Sequence, residues 1–512
     1  MRNFAELLLS PGSDVATAVV VRGHSVTYGD LRSNVQQWAG RLIGFGLVPG
    51  DCVVILGDNS LFYLLAYVAT IYAGGVAVPL SPSVSAGGLH AQVETSQAKW
   101  GFVERKYVDR LREAAIGSQL GRVWVDGALE RPVLPTGWES ATALLASDGG
   151  VPHPPASRSA DDVAVINFTS GSTGTPLGVM VSHRNLEANT RSIVKYLALS
   201  PRDSALLVLP LSYCFGASVL HTHLAAGGTT VMASSFAYPE KVLDELAASG
   251  CTGFYGVPST YQILLRRSTF TTRQFPDLRY MAQAGGRLAP VFIDEIRAAF
   301  QAVPFYVMYG QTEATARLSY LEPEMLATKP GSIGRSIPGV TLRVLRSDGQ
   351  PAAVGELGEI VASGDNVTLG YLRDPAATAA HFRDGQLWTG DLAVVDDDGD
   401  IFIRDRQRDF IKVGGQRVGS KEVEDVIAEL ADVVEVAVIG IPHEVLGEAI
   451  GAYIVARPRS TLTGDQVIRH CRSHLGSERE PRLVEFRKEL PKNESGKIMK
   501  AAVKRMVAGY DT

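Results

Sequence analysis

The chain has 512 residues, 46% hydrophobic and 20% charged, and its 49 Lys and Arg against 54 Asp and Glu leave a formal net charge of −5. That length holds several cores, and the slight acidity argues against a general nucleic-acid binder, which needs a basic face to displace counterions. The four cysteines (Cys52, Cys214, Cys251, Cys471) form neither a CxxC pair nor a Cys/His metal spacing, so a zinc ribbon and a disulfide scaffold are disfavoured and a reducing cytoplasm is expected.

The first segment, MRNFAELLLSPGSD, carries Glu6 inside its short apolar run and lacks the layout of a signal peptide. VTYGDLRSNVQQWAGRLIGFGLVPGDCVVIL reads as a helix closed by Gly46 and Pro49, then a strand. Tyr63 to Leu80 is the most apolar stretch, but Gly74, Gly75 and Pro79 punctuate it, which predicts a buried helix, a turn and a short strand rather than a membrane span. DDVAVINFT, ALLVLPL, TTVMAS, CTGFYGVP and PFYVMYG are short strand candidates, most of them followed by helical patterns. The fold class is therefore α/β, with mainly parallel sheets covered on both faces.

After Thr328 the strands shorten and alternate, which predicts an antiparallel, barrel-like unit. Asp396 to Asp400 resembles a calcium loop in composition only, since it lacks the closing Glu, and reads as a hairpin turn. A charged connector, Arg404 to Asp409, follows. SKEVEDVIAELADV (helix), EVAVIGI and IGAYIVA (strands), GDQVIRHCRSHL (helix) and a basic tail then predict a small α+β domain. A boundary near Arg408 would divide the chain into residues 1–407 and 408–512.

Chemistry concentrates in a few segments. Thr169-Ser170-Gly171-Ser172-Thr173-Gly174-Thr175-Pro176 follows a strand candidate and alternates hydroxyls with glycines, so backbone N–H groups and hydroxyls can converge on phosphate oxygens. It is not a Walker loop. Tyr309-Gly310-Gln311-Thr312-Glu313 ends another strand with a hydroxyl and a carboxylate, donors that suit a magnesium–phosphate site. Trp388-Thr389-Gly390-Asp391 places one carboxylate where it can accept hydrogen bonds from two ribose hydroxyls, and Arg406 is a second candidate for ribose or phosphate. Lys497 follows a Ser-Gly bend in Pro491-Lys492-Asn493-Glu494-Ser495-Gly496-Lys497-Ile498; standing alone it would read as a solvated tail charge.

In this order and at these separations the segments resemble the adenylate-forming superfamily, which comprises acyl- and aryl-CoA synthetases, the adenylation domains of peptide synthetases and firefly-type luciferases. The resemblance runs from Val26-Thr27-Tyr28-Gly29-Asp30-Leu31 to the Ser-Gly-Lys segment. It implies a large N-terminal domain of two α/β units plus a barrel-like unit, and a mobile C-terminal lid. A substrate carboxylate would attack the α-phosphate of ATP to give acyl-AMP and pyrophosphate, with Lys497 bridging carboxylate and phosphate. Thr169 to Thr175 would hold the β- and γ-phosphates, and Thr312 and Glu313 would lie at Mg²⁺. Asp391 would fix the ribose with support from Arg406, while Ala284, Gly285, Gly286, Tyr309 and Gly310 would flank the nucleotide. Rotation about a hinge at Arg408 would replace Lys497 by the loop Lys412-Val413-Gly414-Gly415-Gln416-Arg417, whose glycines leave room for the pantetheine arm of coenzyme A.

Two departures from the family pattern matter. Pro176 is followed by Leu177-Gly178, where the family usually carries Lys-Gly. Loss of an ammonium beside a triphosphate removes a charge-assisted contact worth about 1.5–3 kcal/mol. Either the other donors compensate at a loop position, or ATP-dependent adenylation is weakened and the enzyme takes a ready-made acyl-AMP. Secondly, amino-acid-activating members carry an acid in Phe-Asp-x-Ser, whereas this chain reads Phe215-Gly216-Ala217-Ser218. A buried α-ammonium would lack its counter-ion there, so the substrate is expected to be a carboxylic acid without an α-amine. Tyr213, Phe215, Gly216, Tyr255, Gly256, Val257 and Ala282 are candidates to line or gate its pocket, and His221 and His223 are expected to satisfy hydrogen bonds in the core rather than bind metal.

These readings converge on a cytoplasmic acyl-CoA ligase acting through acyl-AMP, with a small-molecule acid, ATP or acyl-AMP, Mg²⁺ and coenzyme A as ligands. A carrier-protein thiol is the less favoured acceptor, and neither nucleic acid nor membrane is an expected partner. The alternatives are a ligase performing only the thioester step and a relative that binds acyl-adenylate without turnover.

Overall fold

The computed structural model describes residues 3–116, 119–126, 137–141, 153–169, 176–233, 236–406, 410–413, 416–444, 446–493 and 496–508. Local sequence explains the elements that frame the site. The helix Tyr28–Gly44 starts in a capping box, Thr27 Oγ1 accepting from the Asp30 N–H at 3.1 Å, and buries Leu31, Val35, Trp38, Ala39 and Leu42 along one face. The helix Leu61–Tyr72 is apolar all round and buried all round, so it lies inside the protein rather than on it. Gly74, at φ +85°, turns the chain directly into the fully buried strand Val76–Leu80.

Two large sheets carry the expected parallel pairing. One runs, in spatial order, Arg335–Ser336, Ser319–Leu321, Phe305–Tyr309, Tyr280–Gln283, Gly253–Gly256, Ser204–Leu207, Thr229–Met232, Thr17–Val21 and His24–Thr27. It is parallel from Phe305–Tyr309 through Thr17–Val21 and antiparallel at both ends. The other runs Trp138–Ser140, Arg122–Val125, Trp100–Val103, Cys52–Leu56, Val76–Leu80, Val163–Thr169 and Leu177–Ser182, with only the last pair antiparallel. A single core joins inward residues of both sheets to the helices Leu61–Tyr72 and Cys214–Ala226. Leu177 opens its strand, pairs with Thr169 and packs half-buried on this core, so it is part of a sheet and not of a loop.

The chain after Thr328 forms a five-stranded antiparallel sheet of Val340–Leu345, Gly358–Gly364, Gln386–Val395, Phe382–Arg383 and Ile401–Arg406, packed on its own apolar cluster. The acidic run is the hairpin turn between the last two long strands: Asp396 Oδ1 accepts from the N–H groups of Asp398 and Asp400, and the Lys329 ammonium bonds Asp396 and Asp398. A lysine thus supplies the positive charge that this acidic turn attracts.

The C-terminal sheet contains Gln416–Val418, Ile411–Val413, Gly447–Ala456, Val433–His443 and Leu483–Phe486, flanked by the helices Ser420–Ala428 and Gly464–Leu475. The first of these helices ends earlier than its sequence pattern, because β-branched Val433 and Val434 already belong to the next strand. Among the described residues no helix is long and apolar enough to cross a membrane.

His223 meets its expected role, Nδ1 lying 2.9 Å from the Val219 carbonyl and Nε2 3.3 Å from the Tyr280 hydroxyl. His221 departs from it: the ring packs against Phe4 and Tyr67, and Nε2 has no hydrogen-bond partner. Burial pulls the pKa of His221 down to about 3 and that of His223 to about 4, from an ordinary 6.5. Both therefore fold as neutral rings, and their contribution to stability is present above pH 6.5 and lost as pH falls toward those values. Each contributes a slope of about 1.4 kcal/mol per pH unit over that window. Urea midpoints should fall between about pH 6.5 and about pH 4, and the fall should be shallower for His221→Phe; an identical slope in the variant would rule His221 out as a source.

Candidate active site

The parallel strands of the larger sheet end together, and the loops leaving them shape a cleft. Its wall includes Gly285 and Gly286 after the strand Tyr280–Gln283, Met308, Tyr309 and Gly310 at the end of Phe305–Tyr309, and Asp391 from the antiparallel unit. Crevices at the carboxyl ends of parallel strands are where α/β sheets bind ligands, because connecting loops diverge there. Lys497 and Lys421 complete the wall from the C-terminal unit.

Each position has a local cause. The Tyr309 hydroxyl donates to Asp391 Oδ2 at 2.7 Å, which joins the sheet to the antiparallel unit and aims the carboxylate into the cleft. Asp391 is 3% exposed, and its strand neighbour in register is Arg406. After Tyr309 the chain doubles back so tightly that a Cβ on Gly310 would stand 2.0 Å from the Ala316 carbonyl oxygen, so no side chain fits there. The same turn holds Thr315 at φ +67°, a left-handed conformation that a β-branched residue rarely adopts, and its hydroxyl is tied to the Asn366 carbonyl at 2.8 Å.

Glu313 lies inside this turn. Its carboxylate accepts from the Tyr371 hydroxyl at 2.9 Å, and its carbonyl accepts from the Thr368 amide and hydroxyl. Burial and the adjacent Glu313 charge both push the Tyr371 phenol up, which keeps it a donor. The Thr312 hydroxyl lies 3.5 Å from the Cys214 thiol.

The lysine turn is equally defined. Asn493 Oδ1 accepts from the Lys497 N–H at 2.9 Å, and Gly496 sits at φ +80°. The turn docks on the large unit through the Ser259 hydroxyl, which donates to the Gly496 carbonyl at 2.8 Å. A second docking contact pairs Arg287 with Asp425 at 2.6 Å. Burial pushes the Asp425 carboxyl up to about 6, while Arg287 pulls it the other way.

Of the residues singled out from sequence, Gly285, Gly286, Tyr309, Gly310, Asp391 and Lys497 meet at the cleft. Thr312 and Glu313 lie in the adjoining turn, and Ala284 is buried behind it. Thr169 ends its strand next to Leu177. Tyr213 reaches Gly285, its hydroxyl 2.8 Å from where a Cβ would stand, and Val257 approaches the same point at 3.1 Å. Phe215 packs edge-on to Tyr213 and Tyr255. Tyr255 and Ala282, expected to line or gate a pocket, are instead buried in the core: the Tyr255 hydroxyl pairs with that of Tyr280, and the Ala282 carbonyl accepts from Tyr261. Gly256 packs where a Cβ would strike Thr260. Lys412 is exposed in a hairpin of the C-terminal sheet, its amide held by Glu448, and does not line the cleft. Ser170 to Thr175, Arg408, Gly414, Gly415 and the side chains of Arg406 and Arg417 lie outside the described residues. Lys421 and Tyr371 carried no local sequence signal and long-range packing brings them here, whereas Arg287 directly follows the Ala284–Gly286 segment and was missed beside it.

Comparison with known proteins agrees with this geometry. A family model described as AMP-binding enzyme matches residues 12–372, and one described as AMP-binding enzyme C-terminal domain matches 422–497. The chain is 34% identical over 493 residues to a feruloyl-CoA synthase of an Amycolatopsis species, covering 96% of each chain. It superposes on ATP-bound MatB of Rhodopseudomonas palustris with a TM-score of 0.87 at 30% identity, covering 98% of both chains. The amide bond synthetase McbA of Marinactinospora thermotolerans superposes with a TM-score of 0.87 at 27% identity, covering 98% of this chain and 99% of that one. The chain belongs to the AMP-binding enzyme family, the adenylate-forming superfamily that includes the acyl-CoA synthetases.

Proposed function

We propose that the protein is an AMP-forming acid–CoA ligase acting on a carboxylic acid without an α-amine. The observation that carries this reading is the presence of Lys497, from the C-terminal unit, in the same cleft as Asp391 and Tyr309 of the large unit. In the first step a carboxylate oxygen attacks the α-phosphorus of ATP, and pyrophosphate leaves with the bonding electrons. Two anions must meet, and the Lys497 ammonium lowers their repulsion in a partly dry cleft, where a fixed charge acts more strongly than in water. Asp391, held by Tyr309, accepts from the ribose hydroxyls. Gly285 and Gly286 let the base approach backbone. In the second step the thiolate of coenzyme A attacks the acyl carbon and AMP departs.

Thr312 and Glu313 offer hard oxygen donors of the kind Mg²⁺ takes, with the Glu313 carboxylate already oriented by Tyr371. They would hold the ion, which when bound offsets charge on the phosphates. We assign residues 408–512 as the moving lid, with Arg408 as its hinge and the Lys412 loop serving the second step. Lys412 lies off the cleft while Lys497 lines it, as a lid docked for the first step requires.

The preference against an α-amine is supported at Gly216. A Cβ there would stand 2.1 Å from the Pro210 carbonyl oxygen, so this backbone cannot carry a carboxylate at that position. Among known relatives, feruloyl-CoA synthases and a 2-succinylbenzoate–CoA ligase act on acids of this kind.

A second reading keeps only thioester formation from preformed acyl-AMP, and it rests on Leu177. An apolar side chain at the edge of the core supplies no charge to a triphosphate. Two measurements separate the readings. Lys497→Ala should lower pyrophosphate release from ATP and acid about 100-fold or more while sparing acyl-CoA formation from synthetic acyl-AMP. Equal loss of both half-reactions would refute the assignment of Lys497 to the first step alone. Leu177→Lys should raise ATP–pyrophosphate exchange about tenfold if the missing ammonium limits adenylation; an unchanged rate would show that other donors already compensate.

A further inference from the structure

Arg317 lies one layer behind the cleft and is only 2% exposed. Its guanidinium carbon stands 3.9 Å from the centroid of the Phe215 ring. Nε reaches the sulfur of Met308, a residue of the cleft wall, at 3.4 Å, Nη1 reaches the Ala316 carbonyl at 3.4 Å, and the Tyr196 hydroxyl also hydrogen-bonds the guanidinium. The carbonyl contact is long, the thioether is a weak acceptor, none of these partners is charged, and five N–H donors are available. Among the described residues no carboxylate lies within 4.0 Å of this cation. The backbone at this point is fixed, the Arg317 carbonyl accepting from Asn189 and Asn366 at 3.0 Å each.

A buried charge normally has a partner, since leaving one unpaired costs several kcal/mol. Here no described carboxylate pairs with the guanidinium, while the Phe215 ring it covers meets Tyr213, and Tyr213 in turn meets Gly285 at the cleft. The polarity of the neighbourhood points the same way. Gly216 excludes the carboxylate that would hold a substrate ammonium, and a guanidinium covers the adjacent Phe215 ring instead.

We infer that Arg317 determines substrate choice and that the acid activated by this protein carries a second carboxylate, which Arg317 binds. The inference rests on the acid-activating reading above and names its substrate class. One carboxylate is activated at the nucleotide; the other forms paired N–H···O bonds with the guanidinium and takes no part in bond making. The Phe215 face then packs the linking carbons or ring. The long side chain lets the guanidinium move from the ring face to the ligand without backbone movement.

The test uses non-hydrolysable acyl-adenylate mimics, acyl sulfamates of adenosine, bearing succinyl, glutaryl or ortho-carboxybenzoyl groups, each beside its methyl ester. Calorimetric titration of the full chain should show at least one free carboxylate bound about tenfold or more tighter than its ester. Arg317→Met should erase that ratio and Arg317→Lys should retain part of it. Equal affinities in the unaltered chain overturn the inference without any variant, as does a ratio that survives Arg317→Met in a folded protein. Binding of none of the mimics by a chain that makes acyl-CoA from a monocarboxylic acid also overturns it. The ligase reading fails separately, if neither ATP with an acid nor acyl-AMP yields acyl-CoA while the mimic ratio holds.

Discussion

The reaction proposed for this cleft brings one anion against another, and that repulsion organises the rest of the molecule. At about 4 Å two like charges repel by roughly 4 kcal/mol at an effective dielectric of 20, far more than in water. A cation must therefore be present for the first step, yet a lysine fixed permanently in the wall would stand where a thiol must later approach. Placing Lys497 on a separate unit meets both demands. That unit has its own sheet and its own apolar clusters, and its Ala428 also packs into a core cluster of the large unit.

The docking contacts suit the release proposed for the small unit. Ser259 with Gly496 is one hydrogen bond, and Arg287 with Asp425 is an ion pair whose carboxylate resists burial. Buried ion pairs gain little net free energy, because desolvation offsets their attraction. Such contacts fix orientation, together with the Arg266 guanidinium on the Val433 carbonyl and Ala428 in the large unit's apolar cluster. The large unit behaves in the opposite way. Gly310 and Gly216 both lie where a single added carbon would strike a carbonyl oxygen, and Thr315 is held in a strained conformation beside Glu313. The body of the site is over-determined by packing, and the part that supplies charge is not.

How much of this could be read from sequence depended on whether a residue works through its neighbours in the chain. Asp391, Tyr309 and Lys497 sit in short segments whose glycines and strand ends reveal a turn with a purpose, and all three meet at the cleft. Tyr371 and Lys421 have no such local signature. Each reaches the site across a long sequence separation, which only the folded topology supplies. Two other errors have the same origin. Leu177, read as a loop position, is the first residue of a strand because Thr169 pairs with it. Tyr255 and Ala282, read as pocket wall, stand opposite one another on adjacent strands and pack into the shared core.

Arg317 shows why a polar residue hidden by the fold can carry more information about a substrate than the motif beside it. A motif reports the chemistry a family has in common, and the Gly310–Ala316 turn does so through backbone shape. Specificity has to come from groups whose energy is poor until the right ligand arrives, since a group already satisfied gains nothing by binding. Most side chains around Phe215 are satisfied: Tyr255 and Tyr280 bond one another, and Ser218 bonds the Phe215 carbonyl. Arg317 is engaged by a thioether, a distant carbonyl, a tyrosine hydroxyl and a ring face, none of which carries a charge. A ligand carboxylate supplied to that guanidinium gains a strong pair, whereas a neutral group of the same shape leaves the cation as poorly paired as before. Discrimination then follows from the buried charge itself and needs no change in the nucleotide site.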